Sequence, residues 1–223
     1  MKASCANILP LLTSLAGLAS ATVQGFDVSH YQSSVDWSAA YSGGLRFVMI
    51  KATEGTTYKD PSFSSHYEGA TNAGFIRGGY HFAHPGETTG AAQAQYFFKN
   101  GGGWTADGIT LPGMLDLEGD CAGLSASAMV SWIKDFVNEY HSLSGRYPIL
   151  YFSPSWWKEC TGDSTAFSST CPLDLASWNS AIGPIPGGWP FQTFWQYADS
   201  NKYGGDSDSF NGAIANLQKL ATG

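Results

Sequence analysis

Arg46-Phe-Val-Met-Ile-Lys-Ala-Thr53 is an apolar run of strand length, interrupted only by Lys51. Such a run marks a strand covered on both faces, as parallel strands are when helices wrap them. Upstream, Gln24–His30 reads as a first strand, and Trp37–Leu45 as a short helix closed by Gly43-Gly44. Downstream, Ser62–Ala73 reads as a helix stopped by Gly74, and Ile76–Phe82 as the next strand. Thr88–Lys99 is a helix, Leu111–Glu118 a fourth strand and Ser125–His141 the clearest helix of the chain. Ser125 can cap it, and Met129, Ile133, Phe136, Val137 and Tyr140 form its apolar stripe. Tyr147–Phe152 is a fifth strand, with a short helix around Ser155–Lys158.

Beyond that point the rhythm changes. Pro172–Trp178 and Phe191–Tyr197 read as strands without a helix between them. Gly204–Gly212 reads as an acidic, glycine-rich loop before a short amphipathic tail. Five β–α alternations followed by strands with few helices predict an α/β fold: one barrel-like parallel sheet, irregular in its last part. No repeat, linker or low-complexity segment divides it, so residues 22–223 are expected to form a single domain.

Residues 1–21 have a different character. Lys2 is followed by an apolar stretch from Ile8 to Leu18 and then by Ala19-Ser20-Ala21, the pattern of a secretory signal peptide. The stretch is shorter than the roughly 20 residues a spanning helix needs, and no later segment is long and apolar enough. The expectation is a secreted, extracellular protein, acting as a monomer away from the membrane. Charged residues make up 13% of the chain and aromatics 14%, which excludes a disordered chain. The net charge of −7 and the lack of any basic cluster exclude nucleic acid as a partner. Three cysteines follow the signal segment: Cys121, Cys160 and Cys171. An odd number in an oxidising compartment implies one disulfide and one free thiol. Cys121–Cys160 is favoured, because each follows a strand end and the two loops should meet on one rim; Cys160–Cys171 is the alternative.

In a barrel of this kind the active groups sit at the C-terminal ends of the strands. Those ends carry Asp27, Lys51 with Glu54, Tyr80 with His81, Asp116 with Glu118, Tyr151, and Trp195-Gln196-Tyr197. Carboxylates, tyrosines and a tryptophan converging on one mouth describe a sugar-binding cleft, since aromatic faces stack on sugar rings and acids and amides bond hydroxyls. Tyr80, Tyr151, Trp195, Gln196 and Lys51 are the candidate substrate contacts. Asp116 and Glu118 stand two apart on one strand, so they share a face with Cα atoms roughly 6.5–7 Å apart. Repulsion between them should raise a pKa, which an acid in glycoside hydrolysis requires. His81 and His84 do not form a zinc pattern, and Asp206 with Asp208 lacks the spacing of a calcium loop. No metal or cofactor is expected.

Taken together, Gly25-Phe-Asp-Val-Ser-His-Tyr-Gln32, Lys51-Ala-Thr-Glu-Gly55, Gly79-Tyr-His-Phe82, Met114-Leu-Asp-Leu-Glu118, Trp195-Gln-Tyr197 and Gly205-Asp-Ser-Asp-Ser-Phe-Asn-Gly212 resemble, in order, the Chalaropsis-type lysozymes of glycoside hydrolase family 25. The resemblance implies an irregular TIM-like (β/α)5β3 barrel with eight strands. It also implies β-1,4-N-acetylmuramidase activity on the glycan strands of bacterial peptidoglycan. Carried over motif by motif, Glu118 would be the general acid with Asp116 beside it, and Asp27 and Asp206 two further cleft acids. Ser33 departs from the family pattern after the first motif, and Asp208 stands where Asn is more common. The expected mechanism is retaining, with the substrate's 2-acetamido oxygen attacking and Asp116 orienting it. The rival has Asp27 or Asp206 attacking directly. A non-catalytic carbohydrate-binding barrel and a chitin-type hydrolase are the alternative functions.

Overall fold

The computed structural model describes residues 22–223, so the expected signal segment lies outside the described residues. Its centre is the run that opened the reading: β2 (Phe47–Glu54) is buried on both faces. Phe47 and Met49 point into an inner cluster with Met114, Ile149, Phe194 and Phe210. Val48 and Ile50 point outward, against Ala40, Ala70 and Phe75. Each large side chain withdrawn from water in this way contributes about 1.5–3 kcal/mol.

Around β2 the sheet closes on itself. β1 (Val23–Val28), β2, β4 (Ile76–Phe82), β5 (Met114–Asp116), β6 (Ile149–Phe152), β7 (Leu173–Ala176) and β8 (Phe194–Ala198) run parallel. β9 (Asp206–Phe210) lies antiparallel between β8 and β1 and shuts the ring. The barrel therefore has eight strands, with the two-residue β3 (Tyr58–Lys59) hung on the end of β2 as a hairpin. Helices α1 (Trp37–Ser42), α2 (Phe63–Ala73), α3 (Gly90–Phe97), α4 (Ala126–Ser144) and α5 (Pro154–Thr161) follow the first five barrel strands. None separates β7, β8 and β9, which makes this an irregular (β/α)5β3 barrel. A last helix, α6 (Ile214–Thr222), puts Leu217 and Ala221 into the inner cluster with Val23 and Ile76.

Two expectations need correction. Gly204–Gly212 is not a loop, because its middle is β9. Its inward set is Asp206, Asp208 and Phe210, and its period of two is disguised by polar residues that face a polar interior. The fourth strand is shorter than Leu111–Glu118: its regular pairing covers Met114–Asp116, the Leu117 N–H still donates to the Tyr151 carbonyl, and Glu118 stands just past it before Gly119 (φ 77°) turns the chain.

The thickest packing lies outside the barrel on the α3–α5 side. α4 is capped by the Ser125 hydroxyl, which accepts from the Ala128 N–H, and ends at Gly145 in the left-handed region. Its stripe gains Trp132 beside the five residues expected. The Tyr140 hydroxyl accepts from the Gly113 N–H at 2.7 Å and donates to the Gly102 carbonyl at 2.8 Å, pinning the approach to β5. A disulfide joins Cys121, on the loop before α4, to Cys160 in α5, with Cα atoms 5.2 Å apart; Cys171 is free and buried.

Candidate active site

The barrel interior is divided by height. Its lower part is apolar, built from Phe47, Met49, Met114, Ile149, Phe194 and Phe210. Two residues further along the strands the inward positions turn polar. Asp116, Tyr151 and Asp174 are register partners across β5, β6 and β7. Gln196 on β8 partners Asp208 on β9, and Asp206 partners Asp27 on β1. Strand pairing thus turns residues remote in sequence into one acidic belt beneath the mouth.

Gln196 is the hinge of this belt. Its side-chain N–H₂ donates to Asp27 Oδ2 at 2.8 Å and to Asp206 Oδ2 at 3.4 Å. Its carbonyl accepts from the Tyr151 hydroxyl at 2.9 Å and from the Trp178 indole N–H at 2.8 Å. The amide, fully used, orients a carboxylate, a phenol and an indole around one cavity. That cavity holds about 170 Å³ and is lined by Asp27, Tyr80, Asp116, Glu118, Tyr151 and Trp178, among others.

Glu118 stands where the cavity opens. It also borders three wider grooves. One of about 620 Å³ runs past Trp156, Glu159 and Trp178. A second, of about 360 Å³, runs past His84 and Asp120, and a third of about 460 Å³ passes Tyr31, Lys51 and Gly205. A strand of sugars laid through these grooves would cross Glu118.

The electrostatics follow from burial. Asp116 is buried, its Oδ1 has no hydrogen-bond partner, and burial and then Glu118 hold its pKa well above the usual carboxylate range. Glu118 touches water but stands in a concave wall, which raises its pKa; Lys51 opposes the shift and Asp206 adds to it. Repulsion within the Asp116–Glu118 pair adds to the rise at Asp116, and Asp206 adds to the rise at Glu118. Asp27 is raised to about 7, by burial first and then by Asp206, with the Gln196 hydrogen bond pulling the other way. Among the described residues, no three histidine, cysteine or acidic side chains group as metal ligands.

Most of the nominated residues meet here: Asp27, Tyr80, Asp116, Glu118, Tyr151, Gln196 and Asp206 all line the central cavity. Lys51 is buried, bonded to Glu54 at 2.6 Å and set over the Phe82 ring, and reaches only the third groove. Trp195 does not join them. It is adjacent to the inward Gln196 and therefore faces out, where its indole donates to the Ser177 carbonyl and packs on Tyr197. The indole at the cavity is Trp178, four positions beyond Asp174 in the same alternation. Trp178 and Asp174 were not nominated, although inward parity counted along Leu173–Trp178 would have found both.

Against known proteins, the profile described as "Glycosyl hydrolases family 25" matches residues 26–206. An N,O-diacetylmuramidase from Chalaropsis sp. is 64% identical over 211 residues, covering 91% of this chain and all of that protein. Lysozyme M1 of Streptomyces globisporus is 46% identical, covering 89% and 71%. A solved muramidase structure from Trichobolus zukalii superposes with a TM-score of 0.89 at 63% identity, covering 90% of this chain and 99% of that one.

Proposed function

The chain belongs to glycosyl hydrolases family 25, and we propose that it is a secreted muramidase that cuts the β-1,4 bond after N-acetylmuramic acid in bacterial peptidoglycan. The observation that carries the reading is the pair at the end of β5: a buried acid with an unpartnered oxygen next to a water-facing acid of raised pKa.

Glu118 is the proton donor in this reading. Its concave surroundings raise its pKa, and its position at the crossing of the grooves suits it to meet a glycosidic oxygen. Asp116 lies one alternation deeper, where the 2-acetamido group of the bound sugar would sit. An acetamido N–H donated to Asp116 favours its charged form. The charge on Asp116 then favours the protonated form of its neighbour Glu118, which hands its proton to the leaving oxygen. The acetamido carbonyl oxygen then attacks the anomeric carbon, and Glu118 returns as base to activate water. The outcome is retention. Asp27 and Asp206 supply negative charge facing the developing cation, and Tyr80, Tyr151 and Gln196 contact the sugar.

The test uses cell-wall suspensions and soluble glycans side by side. Wild type should clear a bacterial wall suspension and spare chitin oligomers. Glu118→Gln should lose about 10²–10⁴ in rate. A glycan lacking the N-acetyl group should resist cleavage, and NMR should find the β-anomer released first. Trapping a covalent aspartyl–sugar adduct at Asp27 or Asp206 overturns the assisted route. Equal inactivity of wild type and Glu118→Gln overturns the enzyme assignment. Secretion is tested by the N-terminus of protein recovered from medium, expected to begin after Ala21.

A further inference from the structure

Asp208 is the acid left without a role. It is 2% exposed, does not line the cavity, and its Oδ1 has no hydrogen-bond partner. The groups around it are acids or neutral. β1 presents Asp27, its own strand Asp206, and β7 Asp174, which is also buried with an unpartnered Oδ1. β8 presents Gln196, already committed to four hydrogen bonds, and across the barrel stand Asp116, Tyr80 and Tyr151. The nearby cation, Lys51, is taken by Glu54. A buried carboxylate with no cation and no donor costs several kcal/mol, so such a group keeps its proton.

That proton needs an acceptor, and the strand ladder supplies one: Asp208 stands opposite Gly25, one alternation from Asp27 on the same face of β1, so its carboxyl lies beside that of Asp27, whose amide donor is Gln196. We propose that Asp208 is a positioning residue that works as a neutral carboxylic acid, donating its O–H to Asp27 and so orienting the Asp27 carboxyl in the belt. Burial, and next the Asp27 charge, push the Asp208 pKa up, in keeping with this geometry. The consequence for turnover rests on Asp27 acting as a cleft anion; the protonation state does not.

Two readouts separate those parts. The infrared C=O stretch of protonated carboxyls at pH 7 should lose one component in Asp208→Asn, read from the wild-type-minus-variant difference spectrum in which Asp116 and Asp174 cancel, with no substrate added. On soluble muramyl glycan, Asp208→Asn keeps a donor of the same shape and should retain kcat within about threefold. Asp208→Ala should lose at least about tenfold in kcat at little-changed KM, the scale of one charge-assisted hydrogen bond. An unchanged infrared band in Asp208→Asn overturns the proposal, and so does an Asp208→Asn enzyme as impaired as Asp208→Ala. If Asp208→Ala does not fold by near-UV circular dichroism, the Asp208→Asn rate and band decide. Loss of the band with no activity in any form, wild type included, upholds the neutral acid and counts against the muramidase reading alone.

Discussion

Gln196 shows how much one side chain can arrange. It is an amide where a carboxylate would be ruinous, since it accepts from two donors and donates to two acids. The indole it holds, Trp178, is 56% exposed at the junction of the cavity and the largest groove, the position for stacking on a sugar. Trp178→Ala should raise KM about 2–10-fold with kcat nearly kept, read from initial rates on soluble glycan. Trp195→Ala should leave KM unchanged and lower thermal stability. The acids Asp27, Asp116 and Glu118 were legible in the sequence because each ends an apolar strand, where a charge has few structural reasons to be. Asp174 was not, because it sits mid-strand between Leu173 and Leu175, and only barrel closure shows that its face is the polar one. Trp195 was misassigned because proximity to Gln196 in the chain means opposite faces in a strand.

At the scale of elements, the loop before α4 and α5 itself flank the grooves that meet at Glu118, and one covalent bond ties them. The Cys121–Cys160 link spans 39 residues, for which chain entropy gives about 4 kcal/mol. Replacing both cysteines by serine should lower stability by about 2–4 kcal/mol in chemical denaturation, and should raise KM more than it lowers kcat. Helices and parallel strands announced themselves through capping residues and apolar periodicity. β9 did not. Asp206-Ser-Asp-Ser carries the composition of a turn, and its alternation is of polar with polar, so hydrophobicity gives it no period.

Over the whole molecule, the acidic belt ties stability to pH. Asp27 is raised from 3.8 to about 7, and Asp116, Asp174 and Asp208 are raised well above 3.8, burial being the first cause of each. The folded state therefore binds more protons than the unfolded one above about pH 4, and stability falls as pH rises through these folded values. His81 opposes this: buried, its pKa is lowered from 6.5 to about 4, so its contribution is lost as pH falls through that window. Four acids outweigh one imidazole. Scanning calorimetry should find Tm lower at pH 8 than at pH 5 by at least about 5 °C, and Asp174→Asn should flatten the slope. Activity should share the direction. Glu118 must hold its proton, and a net charge of −7 repels an anionic wall less as pH drops, so the pH–rate maximum should fall below neutrality.

The antiparallel β9 has a consequence in time. Asp27 belongs to the first strand and Asp206 to the last, so the two acids that Gln196 bridges are separated by almost the whole length of the domain. A chain emerging from the ribosome would carry Asp116 and Glu118 long before it could assemble the site around them. Until β9 arrives, β1 and β8 present open edges, and the acids of the belt remain hydrated and ordinary. Pairing of β9 with β1 and β8 is therefore the contact that closes the ring, brings Asp206 to Asp27 and completes the cleft. A chain shortened before Phe210 would retain the proposed proton donor, yet lack the environment that keeps it protonated.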